Sequence, residues 1–434
     1  MLRPDARVLL IAVALGLFAT TVAAQSLSPN DAIAFDDFGF TRSTAPDART
    51  RALLATVPVA FDVTALLENP AGLARLRARQ AMASIAFADA SHEYAAFGGS
   101  STASHNSVDL EFMGGAFPIP VLRGSFVPAA SVHRAFVSDL TIDYAGENET
   151  DNRDDRFFLQ QTGDTHAFTV GAAIDLSASL SGGVSIFVLE GGIDALRQYD
   201  TTAHGLPGAE HTYVSEDAHY DIGGVGARIG LHMTPHPRLL VGISITTPQL
   251  VGVEGSITRE ETVVIPNDVG SFTRTTESVS REYMLPYRVD LGIAIPLGPV
   301  RISAQFGYAD WTIASIDRER LRTADNAPVL RTVYDTRGGV EYTLPQWGLQ
   351  LRAGFAHARG APGFLEGDRI DADHLERLTS ERGQLRVALG AGLRVRSVWG
   401  VDAAWSHATA ERTSESVGEE LRADTVTLSG SYAF

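Results

Sequence analysis

The feature that most constrains this chain is the rhythm of its connections. From about residue 80 onward, segments of alternating polarity recur, and the links between them alternate short and long without exception. Short turns fall at Phe117-Pro118-Ile119-Pro120, around Ser179, at Pro235-His236-Pro237, at Leu297-Gly298-Pro299, at Leu344-Pro345-Gln346 and around Ser397. Long polar stretches occupy residues 91–106, 138–164, 194–217, 255–280, 314–335, 359–382 and 410–421. Seven long links and six short ones join about fourteen strands, with both ends on the short-turn side. A soluble sandwich has no reason to keep that alternation, whereas a membrane barrel with short periplasmic turns and long external loops does. The expected fold is all-β: a transmembrane antiparallel β-barrel of about fourteen strands, preceded by a partly helical N-terminal plug.

The segments themselves have the length of tilted membrane strands, about 9–11 residues. In the last one Val426, Leu428, Tyr432 and Phe434 alternate with Thr425, Thr427, Ser429, Ser431 and Ala433. A C-terminal aromatic on such a strand resembles the signal read by the outer-membrane assembly machinery, so Tyr432 and Phe434 are assigned to it. Elsewhere Leu385, Val387, Leu389, Leu393 and Val395 alternate with Arg386, Gly390, Gly392, Arg394 and Arg396. Backbone groups in hydrocarbon cannot go unpaired, so a sheet that crosses it must close on itself.

The N-terminal residues have the layout of a secretory signal peptide, with Arg3 and Arg7 ahead of an apolar run at 8–20 and small residues at Val22-Ala23-Ala24. Cleavage is expected after Ala24, leaving Gln25 first. The chain has no cysteine, so neither disulfides nor acylation on Cys can hold it in place. A net charge of -17, with Arg as the sole strong base and no basic stripe, argues against nucleic acid as a partner.

Residues 25–79 break the strand rhythm. Asp47 is placed to cap a short helix running through Leu54, and Asn69 then Pro70 reads as an N-cap followed by proline at the first helical position. This segment is expected to fold into the lumen as a plug, burying Phe61, Val63, Leu66 and Leu67. The barrel proper is expected over 80–434.

Glu68-Asn69-Pro70-Ala71-Gly72-Leu73-Ala74 resembles the NPAG element near the N-terminus of FadL-type outer-membrane transporters of long-chain fatty acids and hydrocarbons, and of related secretion-associated barrels. Residues 302–312, ending Tyr308-Ala309-Asp310-Trp311, resemble that family's strand closing on an Asp-Trp pair. Leu351-Arg352-Ala353-Gly354-Phe355, followed by Pro362, resembles its later Arg-Ala-Gly strand. The resemblance implies an outer-membrane, multi-pass channel for passive uptake of hydrophobic small molecules such as long-chain fatty acids. In it, the cargo passes an N-terminal hatch whose motif is Asn69, Pro70, Ala71 and Gly72. It then leaves sideways where one strand kinks. Outer-membrane lipid, lipopolysaccharide and the assembly machinery are the further partners expected.

A carboxylate head group would want an arginine. Strand parity points Arg228, Arg288, Arg301, Arg352, Arg386, Arg394 and Arg396 inward, together with Asp175, Asp290 and Asp402. Arg288 and Arg352 are the ligand-binding candidates; pairing of these charges across the lumen is the structural alternative. His232 and His236 have metal-like spacing but are placed at a turn by Pro235 and Pro237, and the acidic stretches 151–155 and 366–373 lack calcium-loop spacing, so no metal is expected. Neither cofactor nor catalytic residue is expected, and the chain is read as no enzyme. Trp311, Trp347, Trp399 and Trp405 read as interface residues. A barrel that binds or shuttles secreted proteins, or a purely structural one, is the alternative function.

Overall fold

The computed structural model describes residues 45–96, 99–121, 124–148, 153–203, 211–264, 270–320, 330, 332–359, 383–395, 398–413 and 417–434. The expected signal peptide, Arg396 and the acidic stretch 366–373 lie outside the described residues.

Period-2 polarity along the chain becomes a closed antiparallel barrel of fourteen strands. The first six are β1 (Gln80–Ala96), β2 (Gly99–Ala116), β3 (Phe126–Val137, continuing as Leu140–Asn148), β4 (Arg153–Asp175), β5 (Leu180–Ala203) and β6 (His211–His236). Next come β7 (Leu239–Thr246, continuing as Gln249–Val264), β8 (Ser271–Leu285, continuing as Arg288–Leu297), β9 (Val300–Asp310) and β10 (Thr332–Leu344). The circuit ends with β11 (Leu349–Arg359), β12 (Gly383–Val395), β13 (Trp399–Thr413) and β14 (Val417–Ala433). β14 pairs with β1 along its whole length, from Gln80 opposite Ala433 to Ala96 opposite Val417, and so removes both sheet edges.

Parity sorts the two faces. Val184, Ile186, Val188, Leu291, Ile293, Leu385, Leu389 and Leu428 point outward and are exposed, forming an apolar band of the kind that membrane barrels turn to lipid. Their neighbours Ser185, Asp290, Arg386, Gly390 and Thr427 point into the lumen. Aromatic side chains border the band at the turn end, where Trp399 packs at a tilt on Tyr432 (4.4 Å between ring centres) and Tyr432 stacks on Phe434 (5.6 Å). At the loop end Tyr287, Tyr308, Tyr334 and Phe306 form a second group. Trp347 is exposed beside the first belt, but Trp311 departs from the expected interface role and is buried inside.

Three strands are interrupted. In β7 and β8 the breaks lie opposite each other, at Thr247-Pro248 and Pro286-Tyr287, because Leu285 faces Gln249 and Arg288 faces Thr246. Proline cannot donate to a ladder, so the wall bends along this line. The break in β3, at Ser138-Asp139, has a different consequence, described below.

Candidate functional site: hatch, apolar cluster and seam

Residues 45–79 fill the barrel as a hatch. The Asp47 carboxylate accepts from the Thr50 backbone N–H (2.8 Å) and starts helix α1 (Ala48–Leu53); a short helix α2 (Ala65–Glu68) follows. Asn69 caps a 3₁₀ turn (Pro70–Arg75) by accepting from the Ala71 N–H, with Pro70 at its first position as the sequence predicts. Val63, Leu66 and Leu67 are buried as expected. Phe61 is only half-buried, its ring edge-on to His232 at 5.0 Å.

The hatch is held by polar bonds to the wall. Gln305 accepts from the backbone N–H groups of Thr56 and Val57 (3.0 and 3.1 Å). The Asn69 amide donates to the Leu231 carbonyl (3.0 Å), and the Ser185 hydroxyl donates to that of Leu66 (3.0 Å). Several inward positions are glycine because the hatch backbone touches them. A Cβ on Gly230 would lie 2.1 Å from Asn69 Oδ1, and one on Gly339 2.4 Å from the Leu53 carbonyl oxygen. His232 is not at a turn: β6 continues to His236, and His232 is fully buried with Nε2 3.2 Å from the Pro58 carbonyl oxygen. It is a hatch contact. Asp47 is also enclosed, and burial, with Asp62 nearby, pushes its carboxyl up to about 6.

On the turn side the lumen is ionic. Arg352, with its side chain fully buried, binds Glu341 (2.9 Å), Asp402 (2.6 Å) and the Gln350 amide oxygen. Arg394 takes the second oxygen of Asp402 (2.7 Å), Arg301 that of Glu341 (2.9 Å), and hatch residue Arg49 joins Asp62 (3.2 Å) to Glu341 (3.5 Å). Arg49, Asp62, Arg301, Glu341, Gln350 and Arg394 border a polar cavity of about 270 Å³. Arg288 is likewise engaged, with Asp290 (2.7 Å) and Asp335. Arg228 is inward too, bonded to Thr246 (3.0 Å), whereas Asp175 sits near the turn-side rim with Ser125 and Ser181. Arg288 and Arg352 are thus not brought together at one site, and each bonds carboxylates of the chain itself.

On the loop side the lumen is apolar. Leu189, Ile193, Tyr220, Ile222, Val253 and Tyr283 point inward and pack with Trp311, Ile316, Leu330 and Val333. The Asp310-Trp311 pair explains itself here: Asp310 accepts from the Thr312 N–H (3.2 Å) and caps the 3₁₀ turn Trp311–Ile313, which presses Trp311 into the cluster. A two-residue pairing of Tyr283 and Met284 with Ile316 and Ser315 ties this insert to β8. The long connections are polar in sequence; this packed apolar cluster is built from strands β4–β10 and from Trp311, Ala314, Ile316 and Leu330, which follow β9.

Between β2 and β3 the hydrogen-bonded ladder is incomplete, although the upper part of β3 still lies alongside β2. Their ladder runs from Ala116 opposite Ala129 to Phe112 opposite His133 and stops. Among the described residues, no rung joins the upper part of β3, Leu140–Asn148, to β2; it pairs with β4 alone. Both strands bulge where the ladder ends. Glu111 is skipped in the β1–β2 register and Ala135 in the β3–β4 register, and such insertions re-aim side chains. Glu111 turns inward to an ion pair with Arg134, which also holds Asp109 (2.6 Å) and Asp164 (3.5 Å). Further up, His105 lies 3.4 Å from Asp139. Phe136 packs against the apolar cluster, so the seam adjoins it, while Val108 and Leu110 on the same stretch of β2 are exposed on the outer face.

Solved structures of similar shape include a FadL homologue from Pseudomonas aeruginosa (TM-score 0.61, 15% identity, covering 90% of this chain and 98% of that one). They also include the Pseudomonas putida toluene transporter TodX (TM-score 0.59, 13% identity, 90% and 98%). A third is the Ralstonia pickettii toluene transporter TbuX (TM-score 0.57, 16% identity, 91% and 99%). This chain shares their fold. The architecture expected from the FadL-type motifs is therefore the one observed. No protein-family profile and no curated protein matches the sequence.

Proposed function

We propose that this chain is an outer-membrane channel for passive uptake of small hydrophobic molecules, which are drawn to the apolar cluster on the loop side and leave sideways through the β2–β3 seam. The incomplete ladder beside that cluster carries this reading. An apolar molecule above the hatch has two ways on, and the one straight down leads into buried ion pairs and a polar cavity. Burial gains about 0.8 kcal/mol per CH₂, so an eight-carbon chain would forgo roughly 6 kcal/mol in such surroundings. The seam leads from apolar side chains to the apolar outer face, past one group of ion pairs centred on Arg134. The proteins named toluene transporters share this architecture, which supports a hydrocarbon-sized cargo; fatty acids remain within the proposed class. No head-group role is assigned to Arg288 or Arg352, whose donors already serve the wall.

The chain has no native cysteine, so a staple can be placed cleanly. In the variant His105→Cys/Asp139→Cys, a short bifunctional thiol reagent should abolish uptake of a fluorescent hydrocarbon into cells carrying the channel. Each single-cysteine variant should keep it. Uptake at the unmodified rate by the cross-linked chain would rule out the lateral route.

A further inference from the structure

A lateral route leaves open what releases the seam. Where the ladder stops, Glu111 and Arg134 are both buried, with side-chain exposures of 1% and 5%. A neutral hydrocarbon offers no charge or hydrogen bond with which to compete for either. Breaking such a pair uncompensated costs about 3–5 kcal/mol, more than a passive cargo can conveniently supply. Whatever loosens the seam must therefore bring a replacement charge from within the protein.

One is in place. Arg51 of α1, with a side-chain exposure of 7%, has Nη2 at 3.8 Å from the same Glu111 oxygen that Arg134 holds. That separation lies outside hydrogen-bond range, and a shift of about 1 Å would close it. Both sides have unused capacity: Arg51 Nε and Glu111 Oε2 are buried and make no hydrogen bond. The two charges already lie within ion-pair distance, so a small movement of the hatch would give each of these atoms a partner. The helix is also tethered on its other side. Arg49, two residues earlier and so on the opposite face of α1, is fixed to Asp62 and Glu341 in the ionic floor, so a movement of the floor contacts also moves Arg51.

We propose that Arg51 and Arg134 compete for Glu111, so that displacement of the hatch by cargo passes Glu111 from the wall arginine to the hatch arginine and unlatches the seam. This rests on the lateral route described above. It assigns Arg51 a positioning role that a brace would not have. A brace, when removed, loosens what it holds; a competitor, when removed, tightens it.

The test uses the full-length chain in detergent, with Ser138→Cys as reporter. Ser138 is buried at the break in β3, and its N–H donates to the Gly163 carbonyl (3.0 Å). The rate at which a maleimide labels it reads seam opening. In that background Glu111→Gln should speed labelling and Arg51→Gln should slow it, each by about fivefold or more, the usual range of coupling between sites. Arg51→Lys, which keeps the charge, should stay near the parent rate. Should Glu111→Gln not fold, Asp109→Asn removes the other β2 carboxylate from Arg134 and should give the same acceleration. Faster labelling in Arg51→Gln would make the residue a brace and overturn the proposal, as would an unchanged rate. The outcome is separable from the staple experiment. Opposite shifts together with uptake through a stapled seam would keep the latch and discard the lateral exit; a working staple with unchanged labelling would do the reverse.

Discussion

Asn69 and Gly230 are in contact across the hatch–wall interface: a methyl group on Gly230 would lie 2.1 Å from the Asn69 side-chain oxygen and 2.9 Å from the Ala71 nitrogen. The same Asn69 caps the 3₁₀ turn and donates to Leu231, so the contact fixes the hatch's register on β6. Gly230→Ala should therefore weaken hatch docking by about 1–3 kcal/mol, the usual cost of overpacking. Earlier cleavage of the hatch in a urea-dependent proteolysis series would report it. Gly223→Ala, on the same strand with nothing within 4 Å of a new Cβ, should leave the series unchanged.

Hatch docking should also respond to pH through Asp47. Its carboxyl is pushed up from 3.8 to about 6 when enclosed, so the protonated form is favoured in the docked state. Docking is therefore fullest below about pH 4 and weakens as pH rises through about 6, by roughly 3 kcal/mol in all. Proteolytic exposure of the hatch should rise between pH 4 and 6 and level off above that. Asp47→Asn keeps the helix cap and should flatten the profile.

Arg352 neutralises two buried carboxylates at once. Arg352→Met leaves Glu341 and Asp402 short of a partner and should lower the barrel's unfolding free energy by about 3–5 kcal/mol. Arg394→Met should cost clearly less, because that side chain is 36% exposed and holds one carboxylate. Guanidinium unfolding followed by tryptophan fluorescence would compare the two.

In the loop-side apolar cluster, Leu189 is buried among other apolar side chains. Leu189→Ala should reduce stability by about 2–5 kcal/mol and leave a dry cavity. Such cavities take up small apolar molecules. A one-ring hydrocarbon should then bind the variant more tightly than the parent, with calorimetry as the readout. Unchanged binding would place the cargo elsewhere.

Much of this architecture is written in local patterns. The fourteen-strand circuit follows from turn spacing and period-2 polarity, and the Asp47 and Asn69 caps from residue type. The His232 reading failed because Pro235 and Pro237 look like a turn on their own, yet β6 runs on to His236 as the strand meets the hatch. Trp311 looked like an interface residue because its place near a strand end was visible and the inward fold of the next turn was not. The seam left one faint mark: outward apolar positions step Val108, Leu110 and then Met113, a change of phase that a bulge at Glu111 produces. No pattern within β2 could reveal that Glu111 would meet residues 23 positions ahead on β3 and 60 behind in the hatch. Those partners are set by three-dimensional closure.

The pairing of β14 with β1 carries one more consequence. It joins the last strand of the circuit to the first across 321 to 353 residues, and contacts of such separation are slow to form. The hatch is attached directly ahead of β1, and its helix α1 also touches β14. A sheet without β14 would present two open edges and leave that side of the hatch uncovered. One strand thus closes the cylinder and completes the enclosure of what lies inside it.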